Sequence, residues 1–169
     1  QQLKLAELAI GRIQKCRTYL DDKLSTNEDP IYGINTGFGY LQHVKIDKEN
    51  LTQLQHNLLL SHACGTGQEV PLPIIKLMLL LKIQSLSYGH SAIALSTVQR
   101  LVDFYNHDLL PVIYTQGSLG ASGDLAPLAH LALPLIGEGE VWHNGGKIST
   151  ATLYAELNWK PLLLMAPNL

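Results

Sequence analysis

Apolar residues return every three or four positions along most of this chain, and glycine, proline or short polar runs cut that helical pattern into separate stretches. The first runs from Leu3 to Leu24 through Leu5, Leu8, Ala9, Ile13 and Leu20, and Ser25-Thr26-Asn27-Glu28-Asp29-Pro30 stops it. Asp47 is placed to cap a second, which ends near Cys64 with Gly65 as its stop. Pro71 and Pro73 open a third that reaches about Tyr88; after Gly89 the pattern resumes from Ser91 to Tyr105. A short helix is expected from about Asp124, with Pro127 tolerated in its first turn. Thr150 is expected to cap a last helix reaching about Leu157. Val141-Trp142-His143-Asn144-Gly145-Gly146-Lys147-Ile148 reads as a small hairpin around Asn-Gly. The expected fold is mainly α, with two glycine-rich loops and one small β-hairpin.

Composition narrows the partners. Hydrophobic residues make up 46% of the chain and charged residues 15%, enough apolar mass for a packed core. A formal charge of -2 offers no basic stripe, so nucleic acid is not an expected partner. Cys16 and Cys64 are far apart and lack a CxxC spacing, so neither a disulfide framework nor a metal site is expected, and a reduced, cytoplasmic setting fits. The most apolar stretch, residues 74–83, carries Lys76 and Lys82 and falls short of the roughly 20 residues a membrane span needs. It reads as a buried helix, with no membrane partner. No signal-peptide pattern opens the chain. The chain opens on Gln1 inside a helical pattern and closes on Leu169 after an apolar run, so both ends are expected to be cuts in something longer.

The two glycine-rich loops carry the chemistry. The first, Ile31-Tyr32-Gly33-Ile34-Asn35-Thr36-Gly37-Phe38-Gly39-Tyr40, packs three glycines into seven positions, a pattern of unusual dihedrals or close contacts. The second, Gly117-Ser118-Leu119-Gly120-Ala121-Ser122-Gly123, has G-x-x-G-x-x-G spacing directly ahead of a helix. As a phosphate cradle it lacks the Gly-Lys-Ser/Thr of a Walker loop, and no Lys or Arg lies between Arg100 and Lys147. As a nucleophile elbow, Gly120-Ala121-Ser122-Gly123 is one residue short of G-x-S-x-G. The bland alternative is a structural loop capped by Ser122 or Asp124.

The run Ala121-Ser122-Gly123-Asp124-Leu125-Ala126-Pro127-Leu128-Ala129-His130 resembles the active-site loop of the aromatic amino-acid ammonia-lyase and aminomutase family. The resemblance implies that Ala121, Ser122 and Gly123 cyclise into a 4-methylidene-imidazole-5-one ring, an electrophile built from backbone, with no metal. The residue types suit that reaction. The Gly123 amide nitrogen has to reach the Ala121 carbonyl carbon without a Cβ in the way, Ser122 loses its hydroxyl as water, and Ala121 keeps the site small. Asp124 and Leu125 are then implied to support the loop and the helix after it. Residues 32–39 are similar to the family's N-terminal loop. There Tyr32 is the implied general base, Gly39 lines the substrate, and Gly37 and Phe38 shape the loop.

Gln55-His56-Asn57-Leu58-Leu59-Leu60-Ser61-His62-Ala63-Cys64-Gly65 resembles the helix that faces the substrate side chain. Phenylalanine-selective members have Phe-Leu at the two selecting positions and tyrosine-selective members His-Leu. Ser61-His62 is the pattern of the histidine-selective ones, and an imidazole at 62 can donate and accept toward an imidazole substrate. The resemblance therefore implies non-oxidative loss of ammonia from L-histidine, giving urocanate, in a homotetramer with a fumarase/aspartase-like helical fold. Residues 1–169 would be a single N-terminal unit, truncated before the central bundle, inactive alone and not obliged to form its ring. The alternatives are a phenylalanine or tyrosine lyase, an aminomutase, or a catalytically dead binding relative. Lys82-Ile83-Gln84 departs from the Arg and Asn common there, and Ala92 from a common Gly; both are expected in a helix behind the site. Residues 162–169 never reach the family's Asn-Gly-Thr-Gln motif.

Overall fold

A computed structural model of the chain describes residues 2–26, 29–31, 34–36, 50–120 and 123–163. Within these residues the fold is mainly α. Its six helices are α1 (Glu7–Thr26), α2 (Leu51–His62), α3 (Leu72–Ser87), α4 (Leu95–Asn106), α5 (Leu125–Ala132) and α6 (Thr150–Leu157), and a 3-10 turn, Leu133–Ile136, extends α5. Five short strands accompany them: β1 (Thr66–Glu69), β2 (Leu110–Pro111), β3 (Tyr114–Gln116), β4 (Glu140–His143) and β5 (Gly146–Ser149).

The core lies where α3, α4, the 3-10 turn and the β2–β4–β5 sheet meet. Ile75 and Leu79 of α3, Val98, Leu101 and Phe104 of α4, Leu131, Leu135, Val141 and Leu153 are fully buried there. The hairpin forms as expected. Asn144 and Gly145 both have positive φ, 50° and 81°, the pair of left-handed residues that a two-residue turn between β4 and β5 requires. Its partner β2 was not foreseen: Leu110 and Pro111 pair with Trp142 and Val141. Two residues carry too little alternation to read as a strand.

Several boundaries differ from the sequence pattern for local reasons. Helix α1 starts at Glu7 because Asn106 holds the Leu3 backbone instead, accepting from its N–H at 2.7 Å and donating to its carbonyl at 2.9 Å. Leu3 and Leu5 then reach the core at a two-residue spacing. Helix α6 is capped by Ser149, whose Oγ accepts from the Thr152 amide at 3.2 Å. Thr150 is not the cap; it is buried and donates from Oγ1 to the Glu138 carbonyl at 2.7 Å. Asp47 lies outside the described residues, and Asn50 is the N-cap residue of α2. Neither cysteine is bridged among the described residues.

Helix α3 is not the fully buried element its composition suggests. Ile75, Leu79, Ile83 and Leu86 face the core, while Ile74, Leu77, Leu81 and Tyr88 are each half exposed along the opposite side. A helix apolar on all sides packed on one side leaves such a stripe, a surface prone to association.

Ala92 also corrects the sequence reading. It lies between α3 and α4, not in a helix, and has φ 53°. That left-handed backbone explains why glycine suits the position: an alanine there costs about 1 kcal/mol. Replacing it (Ala92→Gly) should therefore raise stability by about 0.5–1 kcal/mol, readable as a higher midpoint in urea with an unchanged slope.

The segment 158–163 is held by an aromatic cage. Trp159 stacks on Phe104 with ring centroids 6.2 Å apart, and the Arg100 guanidinium lies 4.7 Å from the Trp159 ring and 5.3 Å from the Tyr154 ring. Arg100 also donates to the Lys160 carbonyl at 3.0 Å, and Tyr154 Oη donates to the Pro134 carbonyl at 2.6 Å. These contacts fix α6 on the turn that follows α5.

Candidate active site

Two segments far apart in sequence are joined by a strand pair that the sequence pattern did not reveal. Strand β1 follows the end of α2, strand β3 precedes the Gly117–Gly123 loop, and the two run antiparallel with Thr66 opposite Gln116 and Glu69 opposite Tyr114. The register shifts between those pairs, and Gly67 sits there with φ 86°. Thr66-Gly67-Gln68-Glu69 is polar and exposed along its whole length, so it lacks the alternation that signals a strand. Its effect is to set the chain just after the Ser61-His62 end of α2 beside Gly117, where the Gly117–Gly123 loop begins.

The junction is close-packed. The Gly65 amide donates to His130 Nε2 at 2.9 Å. A Cβ on Gly65 would lie 2.8 Å from that same nitrogen, and one on Gly117 would lie 2.9 Å from Gly65 Cα. Tyr114 of β3 meets the His130 ring edge-on at 5.3 Å between centroids. His130 is buried, and burial pushes its imidazole below the usual histidine range.

Ser61 and His62 end α2. His62 Nδ1 lies 2.7 Å from the Leu58 carbonyl, and Ser61 Oγ donates to the same carbonyl at 3.0 Å. A carbonyl only accepts, so the His62 Nδ1 carries the ring's proton, and in the neutral ring Nε2 is the acceptor.

The Gly117–Gly123 loop is described at its flanks. The Gly123 amide donates to the Gly120 carbonyl at 3.3 Å, drawing together the residues on either side of Ala121 and Ser122. Gly123 has φ 86°, a conformation glycine adopts freely, and among the described residues nothing lies within 4 Å of where a Cβ would stand. A glycine nitrogen with open space around its Cα fits the implied cyclisation. Asp124 occupies the N-cap position of α5 at φ 57°, but its side chain makes no capping bond, so Asp124 does not cap the helix; Ser122, the other candidate, lies outside the described residues. Leu125 is the first residue of α5 and is exposed. Ala121 and Ser122 themselves lie outside the described residues, as do Tyr32, Gly37, Phe38 and Gly39.

The flanks of Tyr32 reveal a residue the sequence reading passed over. Buried Asn35 accepts at Oδ1 from the Ile31 amide at 2.6 Å and donates from Nδ2 to the Asp29 carbonyl at 3.1 Å. A short amide that bonds its own neighbouring backbone is a loop-forming device. Its place inside the glycine-rich run was the signal available in sequence. Among the described residues, no group of three His, Cys, Asp or Glu could hold a metal ion, and no helix is long and apolar enough to cross a membrane.

A sequence model of the family described as aromatic amino acid lyase matches residues 1–168, and the chain belongs to that family. It is 48% identical to the histidine ammonia-lyase of Deinococcus radiodurans over 98% of its own length. That match covers 32% of the relative, so the chain spans about a third of the length of the curated relatives it matches. Solved structures agree. A tyrosine aminomutase from Streptomyces globisporus is 36% identical with a TM-score of 0.88, over 95% of this chain and 30% of that one. The histidine ammonia-lyase from Trypanosoma cruzi is 32% identical with a TM-score of 0.85, over 97% of this chain and 32% of that one.

Proposed function

We propose that the enzyme carrying this chain is a histidine ammonia-lyase, which converts L-histidine to urocanate and ammonia without oxidation. The observation that carries the choice of substrate is the committed tautomer of His62. With Nδ1 donating to the Leu58 carbonyl, Nε2 of the neutral ring carries the lone pair and can accept from the N–H of a substrate imidazole. Ser61 Oγ, 3.2 Å from His62 Nδ1, supports that ring orientation.

Ala121, Ser122 and Gly123 are the residues proposed to form the methylidene-imidazolone. When formed, that group supplies an electrophilic methylene carbon and an electron sink that no ordinary side chain offers. Tyr32 is proposed to take the β-proton, with Gly37, Phe38 and Gly39 shaping the loop around the substrate and Asn35 holding its base. The N-terminus of α5, beginning at Leu125 after Asp124, favours negative charge that develops near the loop. Overall the Cα–N and Cβ–H bonds break and a Cα=Cβ bond forms.

Residues 1–169 are proposed as one N-terminal unit that needs the rest of the enzyme for turnover. A homotetramer is the proposed assembly, supported by the exposed apolar stripe of α3. The cytoplasm is the proposed setting, supported by two unbridged cysteines. Intact mass tests the electrophile: the purified full-length enzyme should weigh two waters less than its sequence, and an unshifted mass would remove the basis of the proposal.

Selectivity is tested separately. Converting Ser61 and His62 together (Ser61→Phe with His62→Leu) should cut kcat/KM for L-histidine by about 100-fold or more, the scale of losing a hydrogen bond to a substrate N–H, and should raise turnover of L-phenylalanine. Unchanged preference for histidine would sink the role of His62. The similarity to aminomutases favours a second reading, in which the amine is returned to the β-carbon. A β-amino acid product would establish it.

A further inference from the structure

We propose that His130 is a positioning residue, which holds the selecting end of α2 against the electrophile loop by accepting the Gly65 amide hydrogen bond at Nε2. This rests on the lyase reading above. The bond is 2.9 Å long and links positions 65 residues apart, and His130 is 8% exposed. Backbone hydrogen bonds carry its effect back to the selecting residues: the Cys64 amide donates to the His62 carbonyl at 2.9 Å and the Ala63 amide to the Leu59 carbonyl at 3.0 Å. Gly65 is therefore a short, stiff lever away from His62. On the other side, His130 lies on α5, after the loop; a Cβ on Gly65 would run into His130 itself, and one on Gly117 would run into Gly65, so neither position admits a side chain.

The acceptor role dictates the tautomer. An amide N–H only donates, so Nε2 must keep its lone pair and Nδ1 the proton. A protonated ring would point an N–H at the Gly65 N–H. The Gly65 amide and the Tyr114 ring, both uncharged, face the imidazole, and only its neutral form can accept from the amide. Burial pushes the imidazole in the same direction.

Two substitutions separate the acceptor from the ring. In His130→Gln, the carboxamide oxygen reaches the place of Nε2 and can accept. In His130→Phe, the ring volume and the Tyr114 contact remain but the acceptor is lost. In the full-length enzyme, His130→Phe should raise KM for L-histidine about tenfold or more with the two-water mass deficit intact, while His130→Gln stays within roughly threefold of the parent. An unchanged KM in His130→Phe, or equal impairment in both variants, would overturn the proposal. Should His130→Phe not fold, His130→Gln is compared with His130→Asn, too short to reach Gly65; a higher KM for Asn supports the clamp and equal KM values overturn it. If L-histidine is not a substrate, the lyase reading fails and the clamp is read directly by 15N NMR of the imidazole in this chain at neutral pH. A proton on Nδ1 supports it, and a proton on Nε2 overturns it.

Discussion

An alanine at position 89 should lower the stability of this fold by about 3 kcal/mol, combining overpacking with a left-handed backbone. Gly89 follows α3 with φ 71°, and a Cβ there would lie 2.7 Å from the backbone carbonyl and the Cβ of Arg12. Those atoms belong to α1, so relief requires the helix itself to move. Gly145 provides the control. Its φ is 81°, but nothing lies within 4 Å of a Cβ, so Gly145→Ala should cost only the backbone part, about 1 kcal/mol. The difference between the two in urea denaturation isolates the contact between α1 and the α3–α4 connection. Equal costs would show that the clash is relieved without strain.

Replacing Ser122 by alanine should abolish turnover in the full-length enzyme, by on the order of 10⁴-fold or more, the scale on which loss of a covalent catalyst acts. The hydroxyl is the leaving group in the dehydration that completes the proposed electrophile, and alanine has nothing to lose. The substitution should leave the fold intact, because the described flanks are tied by backbone: Gly123 to Gly120, and α5 into the core through Ala126, Ala129 and Leu131. Folded but inert protein at its unshifted sequence mass is the expected result. Residual activity close to that of the parent would mean that Ser122 is not the source of the electrophile.

Much of the scaffold was legible because periodicity reports burial. The helix ending at His62, the one opened by Pro71 and the Asn144-Gly145 hairpin stand where spacing and turn chemistry put them. Long-range pairing was not legible. Strands β1 and β2 are two to four residues long, and their partners are about 50 and 30 residues away, so no local pattern marks them. Nor was the clamp between Gly65 and His130, since its only sequence trace is a glycine and a histidine in separate motifs. Ala92 shows the converse. A departure visible in sequence became interpretable only once its positive φ was known. The chemistry proposed for the loop rests on resemblance: spacing left a phosphate cradle, a nucleophile elbow and a structural loop all open.

The most direct test of the account is the product formed when the full-length enzyme is incubated with L-histidine and followed by ultraviolet absorbance with parallel ammonia determination. The account predicts urocanate and ammonia in equal amounts, lost together in the Ser122→Ala variant. A β-amino acid with no ammonia released, or turnover of phenylalanine or tyrosine in place of histidine, would contradict it.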